Sequence, residues 1–208
     1  MASYIFFDNS NIYGGAQRAG GALEPGAPWP AIRIYYRNIF RLIEGPGPIQ
    51  TRVLSGSVPP GNDLLWQTAR DLGYDTDLLK RVEADDGRLV EQGVDELLHL
   101  KIANVILDHD PPQTLVIASG DGSVSNYNTS FVMQAERALR RGWSVQVWSW
   151  TKQMTSKYND LLGLYQGRLI LKDLDPYYLS TTFVKGGGYV FAGAAIWVQD
   201  RIVSPLRL

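Results

Sequence analysis

Short, apolar, β-rich runs alternate along this chain with longer stretches of helical period, and that alternation most constrains its fold. Tyr4 to Phe7, Thr51 to Leu54, Leu115 to Ala118, Ser144 to Trp148 and Leu169 to Leu171 read as strands. Tyr74 to Val82 alternates as a further strand would. The first run is apolar throughout, the pattern of a strand buried on both faces. Pro30 sits well at a helix start, with Ile32, Tyr35, Tyr36, Ile39, Leu42 and Ile43 following at helical spacing. Asn62 can cap a helix running towards Asp71 and ended by Gly73. Helices are also expected over 95–107, 130–141 and 156–165, with Pro111-Pro112 stopping the first of these. Loops are expected over 14–30 and 55–61, and an acidic turn over 84–87. This alternation predicts an α/β fold, a three-layer α/β/α sandwich around a mostly parallel central sheet. The tail differs. Thr181 to Lys185, Gly186-Gly187-Gly188 and Tyr189 to Val198 predict a β-hairpin turning at the glycines. Residues 1–208 thus read as one domain, with 174–208 a C-terminal β extension.

Composition removes several chemistries. The chain has no cysteine, which excludes disulfides, thiolate nucleophiles, Fe–S clusters and cysteine zinc sites. Two histidines, His99 and His109, are too few for an imidazole-built zinc site. Lys and Arg number 20 against 21 Asp and Glu, so any polyanion must be met by a local basic patch. No run approaches the roughly 20 apolar residues of a spanning helix. Asp8 interrupts the first apolar run, which argues against a signal peptide. The expectation is an intracellular protein, cytoplasmic or nuclear, with no membrane partner.

Three aspartates fall where such a fold builds ligand sites. The run Tyr4 to Phe7 leads directly into Asp8-Asn9-Ser10-Asn11, and Leu115 to Ala118 into Ser119-Gly120-Asp121-Gly122-Ser123. Gly93-Val94-Asp95 opens a helical pattern between them. Open parallel sheets bind ligands beyond the carboxyl ends of their strands, so these acids can meet in one cleft. Singly, each has a plainer explanation: an Asx-type turn at Asp8, a generic turn at Asp121, a helix N-terminal acid at Asp95. Jointly, they predict a hard-metal site suited to phosphoryl chemistry, because gathered carboxylates need a cation such as Mg2+ or Mn2+.

Phe6-Phe7-Asp8-Asn9-Ser10-Asn11, Gly93-Val94-Asp95, Ser119-Gly120-Asp121-Gly122 and the stretch Arg141 to Trp150 together resemble the NYN domain. That family includes the LabA-like proteins and belongs to the wider PIN-like nuclease fold. The resemblance covers about the first three-quarters of the chain. It implies a metal-dependent endoribonuclease, with Asp8, Asp95 and Asp121 as catalytic and metal-holding acids. Asn9, Asn11, Glu96, Ser119 and Ser123 would support them. Where the family usually offers further acids, this chain has His99, Lys101 and Ser123, which implies weakened or one-metal catalysis. Lys101 would add positive charge near the metal, and Glu96, one residue past Asp95, would point about 100° away around the helix.

RNA, single-stranded or structured, is the expected partner. Arg137, Arg141, Lys152 and Lys157 gather in sequence near Trp148, Trp150 and Tyr158, the composition of a cationic groove with stacking platforms. The plainer alternative is a solvated helix face beside sheet core. Two other functions fit the same pattern: an inactive RNA-binding or interaction module, and a phosphatase or nucleotide-binding protein. The hairpin residues Tyr189, Val190, Phe191, Ile196 and Trp197 could cover a sheet edge or form a homodimer interface.

Overall fold

Tyr4, Ile5, Phe6 and Phe7 are all buried, and they form the middle of β1 (Ser3–Asp8). The structure, a computed structural model, describes residues 1–58, 63–80, 82–83, 89–90 and 93–208. After β1 come α1 (Asn9–Leu23), β2 (Ile32–Ile34), α2 (Tyr36–Glu44), β3 (Ile49–Val58), α3 (Asp63–Asp71) and β4 (Asp75–Lys80). The short strands β5 (Val82–Glu83) and β6 (Leu89–Val90) precede α4 (Val94–Asp108) and β7 (Thr114–Ala118). Then follow α5 (Phe131–Arg140), β8 (Ser144–Ser149), α6 (Lys157–Leu164), β9 (Leu169–Asp173), α7 (Tyr178–Thr181), β10 (Thr182–Val184), β11 (Gly187–Phe191) and β12 (Ala194–Val198).

Six strands make one parallel sheet in the order β4-β3-β1-β7-β8-β9. Strand alternation divides the core in two. Ile5, Phe7, Leu54, Val116 and Ala118 pack with Ile12, Ala16, Ile39, Phe40, Trp66 and Ala69, so α1, α2 and α3 cover one face. Tyr4, Phe6, Leu115, Ile117, Val145 and Val147 pack with Leu98, Ile102, Phe131, Leu139, Tyr158 and Leu161, so α4, α5 and α6 cover the other. The predicted α/β/α sandwich is therefore present, with β11 and β12 appended as a small antiparallel hairpin. Helices on both faces are why the central strands are apolar on both sides. Among the described residues, no helix is long and apolar enough to cross a membrane.

Four local expectations are corrected. Residues 14–23 continue α1 instead of forming a loop, despite Gly14, Gly15, Gly20 and Gly21. The glycines answer a packing need: a Cβ at Gly15 would collide with Trp150, and one at Gly20 with Ile32. Pro30 sits only in a short 3-10 turn, Trp29–Ala31. Ile32–Ile34 is then a strand, because it pairs antiparallel with β10. β3 runs on through residues 55–58 beside β4. Finally, Thr182–Val184 belongs to β2's sheet, and the hairpin turns at Ala192-Gly193 rather than at the three glycines. Ala192 and Gly193 take φ of 51° and 81°, the left-handed pair a tight two-residue hairpin requires. The expected cap at Asn62 and the turn over 84–87 lie outside the described residues.

Candidate functional site

The sheet reverses its winding between β1 and β7, which begin connections in opposite directions. A crevice outside the carboxyl ends of two such strands is where doubly wound folds take ligands. Asp8 ends β1, and Ser119-Gly120-Asp121 follows β7. A cleft of about 400 Å³ opens there, with Asp8, Asp95, Glu96 and Asp121 among the residues that line it. Ser10, Asn11, Gly93, Val94 and Asn126 complete its walls.

Each acid is set by its local structure. Asp8 caps α1: its Oδ1 accepts from the Asn11 backbone N–H at 3.0 Å, and its side chain is buried. Its Oδ2 accepts from the Ser119 hydroxyl at 2.9 Å. Asn11 reaches the other way, its Oδ1 accepting from the Gly120 N–H at 3.0 Å. The two loops are thereby stitched across 111 and 109 residues of chain. Asp121 accepts from the Ser123 N–H at 2.8 Å, and its own N–H donates to Ser119 Oγ at 3.3 Å. Gly120 is indispensable to this packing, because a Cβ there would collide with Gln153 O and Ser149 Oγ. On the far wall, α4 starts at Gly93 in left-handed conformation (φ 83°), with Asp95 and Glu96 in its first turn. Acids at a helix N-terminus are favoured by the unpaired N–H groups there.

Asp8, Asp95 and Asp121 thus share one cleft, as the sequence predicts. Glu96, the next residue of α4 after Asp95, is among the residues that line it. Asn11 and Ser119 are supports. Ser123 contributes its backbone N–H and stands exposed. Asn9 is not a cleft residue: it is buried, and its Oδ1 accepts from the Tyr36 hydroxyl at 2.5 Å. Lys101 does not line the cleft either; it pairs with Asp77 at 2.5 Å. Ser10 and Asn126 were missed, and only Ser10's place within Asp8 to Asn11 could have signalled either.

His99 lies beneath the acids on α4, 3% exposed, its ring edge-on to Phe131 at 4.4 Å. Among the described residues neither ring nitrogen finds a hydrogen-bond partner. Burial pushes its pKa down to about 4, against the opposing pull of Glu96 and Asp121, so it is neutral. Burial also raises the Tyr158 hydroxyl, with the Asp121 charge adding to it.

The expected RNA-contact set is dispersed relative to the cleft. Arg137 bonds Gln134 at 3.3 Å, Arg141 stands 3.7 Å from Asp110, and Lys152 is exposed in the turn Thr151–Gln153. Lys157 Nζ donates to the Gly122 carbonyl at 2.6 Å, bracing the Asp121 loop. None of the four lines the cleft. The proposed platforms Trp148, Trp150 and Tyr158 are core residues. Trp150 is fully buried and donates its indole N–H to the Ile12 carbonyl at 2.9 Å.

The cleft's donors are hard carboxylate and amide oxygens, with no sulfur. Oxygen donors of this kind are the type that hard divalent cations take, in contrast to soft thiophilic metals. They do not form a closed cage: among the described residues, no three acidic or imidazole groups gather as a ready ligand set.

No protein family is matched by the chain, and no curated protein is similar to it in sequence. Among solved structures it is similar to a protein of unknown function, VPA0982 from Vibrio parahaemolyticus RIMD 2210633. The TM-score is 0.55 and the identity 13%, over 84% of this chain and 94% of that chain. The likeness is one of fold, the parallel α/β sheet.

Proposed function

We propose that this chain is a metal-dependent endoribonuclease of the NYN or PIN-like type, hydrolysing RNA phosphodiesters. The supporting observation is the convergence of Asp8, Asp95 and Asp121, from three distant segments, on one cleft at the sheet's switch point. Asp8 and Asp121 would hold Mg2+ or Mn2+, with Asp95 and Glu96 facing them. A bound divalent ion would supply Lewis acidity at phosphorus and lower the pKa of a coordinated water. The chain's own contribution is positional. Ser119 fixes the Asp8 carboxylate, Asn11 ties the Asp121 loop to α1, and the Ser123 N–H orients Asp121. Asn11 and Asn126 offer amide groups to phosphate or water at the rim. Without a cation, four carboxylates would repel the RNA backbone, so substrate binding at this cleft depends on the ion.

The test is cleavage of single-stranded and hairpin RNA in Mg2+ or Mn2+. Activity should vanish in excess chelator and with Asp121→Asn. Cleavage that survives both would sink the proposal. The second reading, an RNA-binding module that has lost catalysis, draws on there being no three-ligand cage among the described residues. It requires salt-sensitive RNA binding by a wild-type chain that never cleaves.

A further inference from the structure

A larger concavity, about 670 Å³, opens beside α1 on the hairpin side of the molecule. Gly14, Gln17, Arg18 and Gly21 form its α1 wall, and Trp29 and Phe191 face them. Ser10 and Asn11, on the same helix, line the acidic cleft. At 100° per residue, these six α1 positions occupy one stripe roughly 120° wide. Gly21 stands about 15 Å along the axis from Asn11. Cleft and groove therefore lie towards the two ends of one face of α1, with the Arg18 guanidinium over Gly14 along it. Trp29 is 55% exposed and Phe191 38%, unlike the buried Trp148 and Trp150. Arg18, in the groove's own wall, is exposed, its Nε donating to Gln153 Oε1 at 2.9 Å.

We infer that this stripe is a track for single-stranded nucleic acid, with bases stacking on Trp29 and Phe191 and Arg18 meeting the backbone. The inference rests on the RNA reading above for what lies at the cleft end, but its groove is a separate binding site. Exposed aromatic faces beside a cation grip single strands without sequence readout, because every base has a π face. Glycine at 21, where a Cβ would meet nothing within 4 Å, lets the backbone of the strand lie close to the helix, while the Arg18 guanidinium lies over Gly14.

The experiment is fluorescence anisotropy of a labelled oligouridylate about 12 nucleotides long, within the span such sites cover, in excess chelator. The full chain is compared with Trp29→Ala, Trp29→Phe and Gly21→Glu. A Cβ at Gly21 meets nothing within 4 Å, so Gly21→Glu fills the track without straining the fold. Trp29→Ala and Gly21→Glu should each weaken binding about 5-fold or more, as loss of one stacked base would. Trp29→Phe should restore most of it. Unchanged affinity in both variants overturns the track. So does a shift in sedimentation without one in affinity, which would make the groove a contact with a second copy. Normal groove dependence in a chain that never cleaves removes the nuclease reading alone. Metal-dependent cleavage with unaltered binding in Gly21→Glu removes the track alone.

Discussion

The Ser119 hydroxyl donates to Asp8 Oδ2 at 2.9 Å, joining the ends of two neighbouring parallel strands. The same carboxylate caps α1 through Asn11 N–H. Asp8 is therefore both a candidate ligand and a structural junction, and substitutions should separate the roles. Asp8→Asn keeps one oxygen for the cap and turns an amide N–H towards Ser119 Oγ, so stability should change by less than about 1 kcal/mol. Asp8→Ala loses the cap and leaves a buried hydroxyl short of its acceptor, costing about 1–2 kcal/mol. Urea denaturation measures the difference. Equal stability of the two variants would contradict the junction.

Gly120 should tolerate no side chain. A Cβ there collides with the Gln153 carbonyl and Ser149 Oγ, and backbone cannot swing aside as a flexible side chain does. Gly120→Ala is expected to cost about 1–3 kcal/mol, the range for overpacking. It should also displace Asp121 and so depress cleavage more than stability alone explains. Gly21→Ala, on an open helix face, serves as the opposite control and should stabilise by about 0.5–1 kcal/mol. Thermal melts of the pair would check both signs.

These residues also show what the sequence could and could not reveal. Runs such as Tyr4 to Phe7 and Leu115 to Ala118 are legible because a strand covered on both faces must be apolar throughout. The three aspartates are legible because chain order fixes which loops follow which strands. Ile32 to Ile34 is not, since its partner Thr182–Val184 lies about 150 residues away and leaves no local trace. The α1 glycines misled for a similar reason: their role is set by Trp150 and Ile32, distant residues packed against the helix. Trp148 and Trp150 read equally well as platforms or core, and burial decided for core. The exposed Trp29 carries no sequence pattern distinguishing it from them.

His99 should make the fold sensitive to mild acid. Its pKa is lowered to about 4, with burial the main cause, against an ordinary value near 6.5 in the unfolded chain. Between those values the unfolded chain binds a proton that the folded chain refuses. Stability is therefore full above about pH 6.5 and falls as the pH drops towards 4, by up to about 3 kcal/mol from this group. His99→Leu removes the titrating group, and its Tm should fall less steeply than wild type across that window. Parallel Tm–pH curves for the two proteins would refute the assignment.

Arg201 should anchor the tail to the far end of α1. Its guanidinium spans Glu24, with Nε to Oε1 at 2.6 Å and Nη2 to Oε2 at 3.0 Å. It also donates to the Thr182 carbonyl at 2.8 Å, while the Tyr178 hydroxyl donates to the same Glu24 at 3.0 Å. Both charged side chains are about four-fifths buried, at 23% and 20% exposure, so solvent screens the pair only partly. Removing one partner strands the other, and Arg201→Met is expected to cost about 2 kcal/mol. Arg201→Lys should recover little, because an ammonium cannot present the planar fork that meets both carboxylate oxygens. The double variant Arg201→Met with Glu24→Gln should cost less than the sum of the single changes. Guanidinium denaturation of the four proteins gives the coupling directly, and strict additivity would show that the two groups act independently.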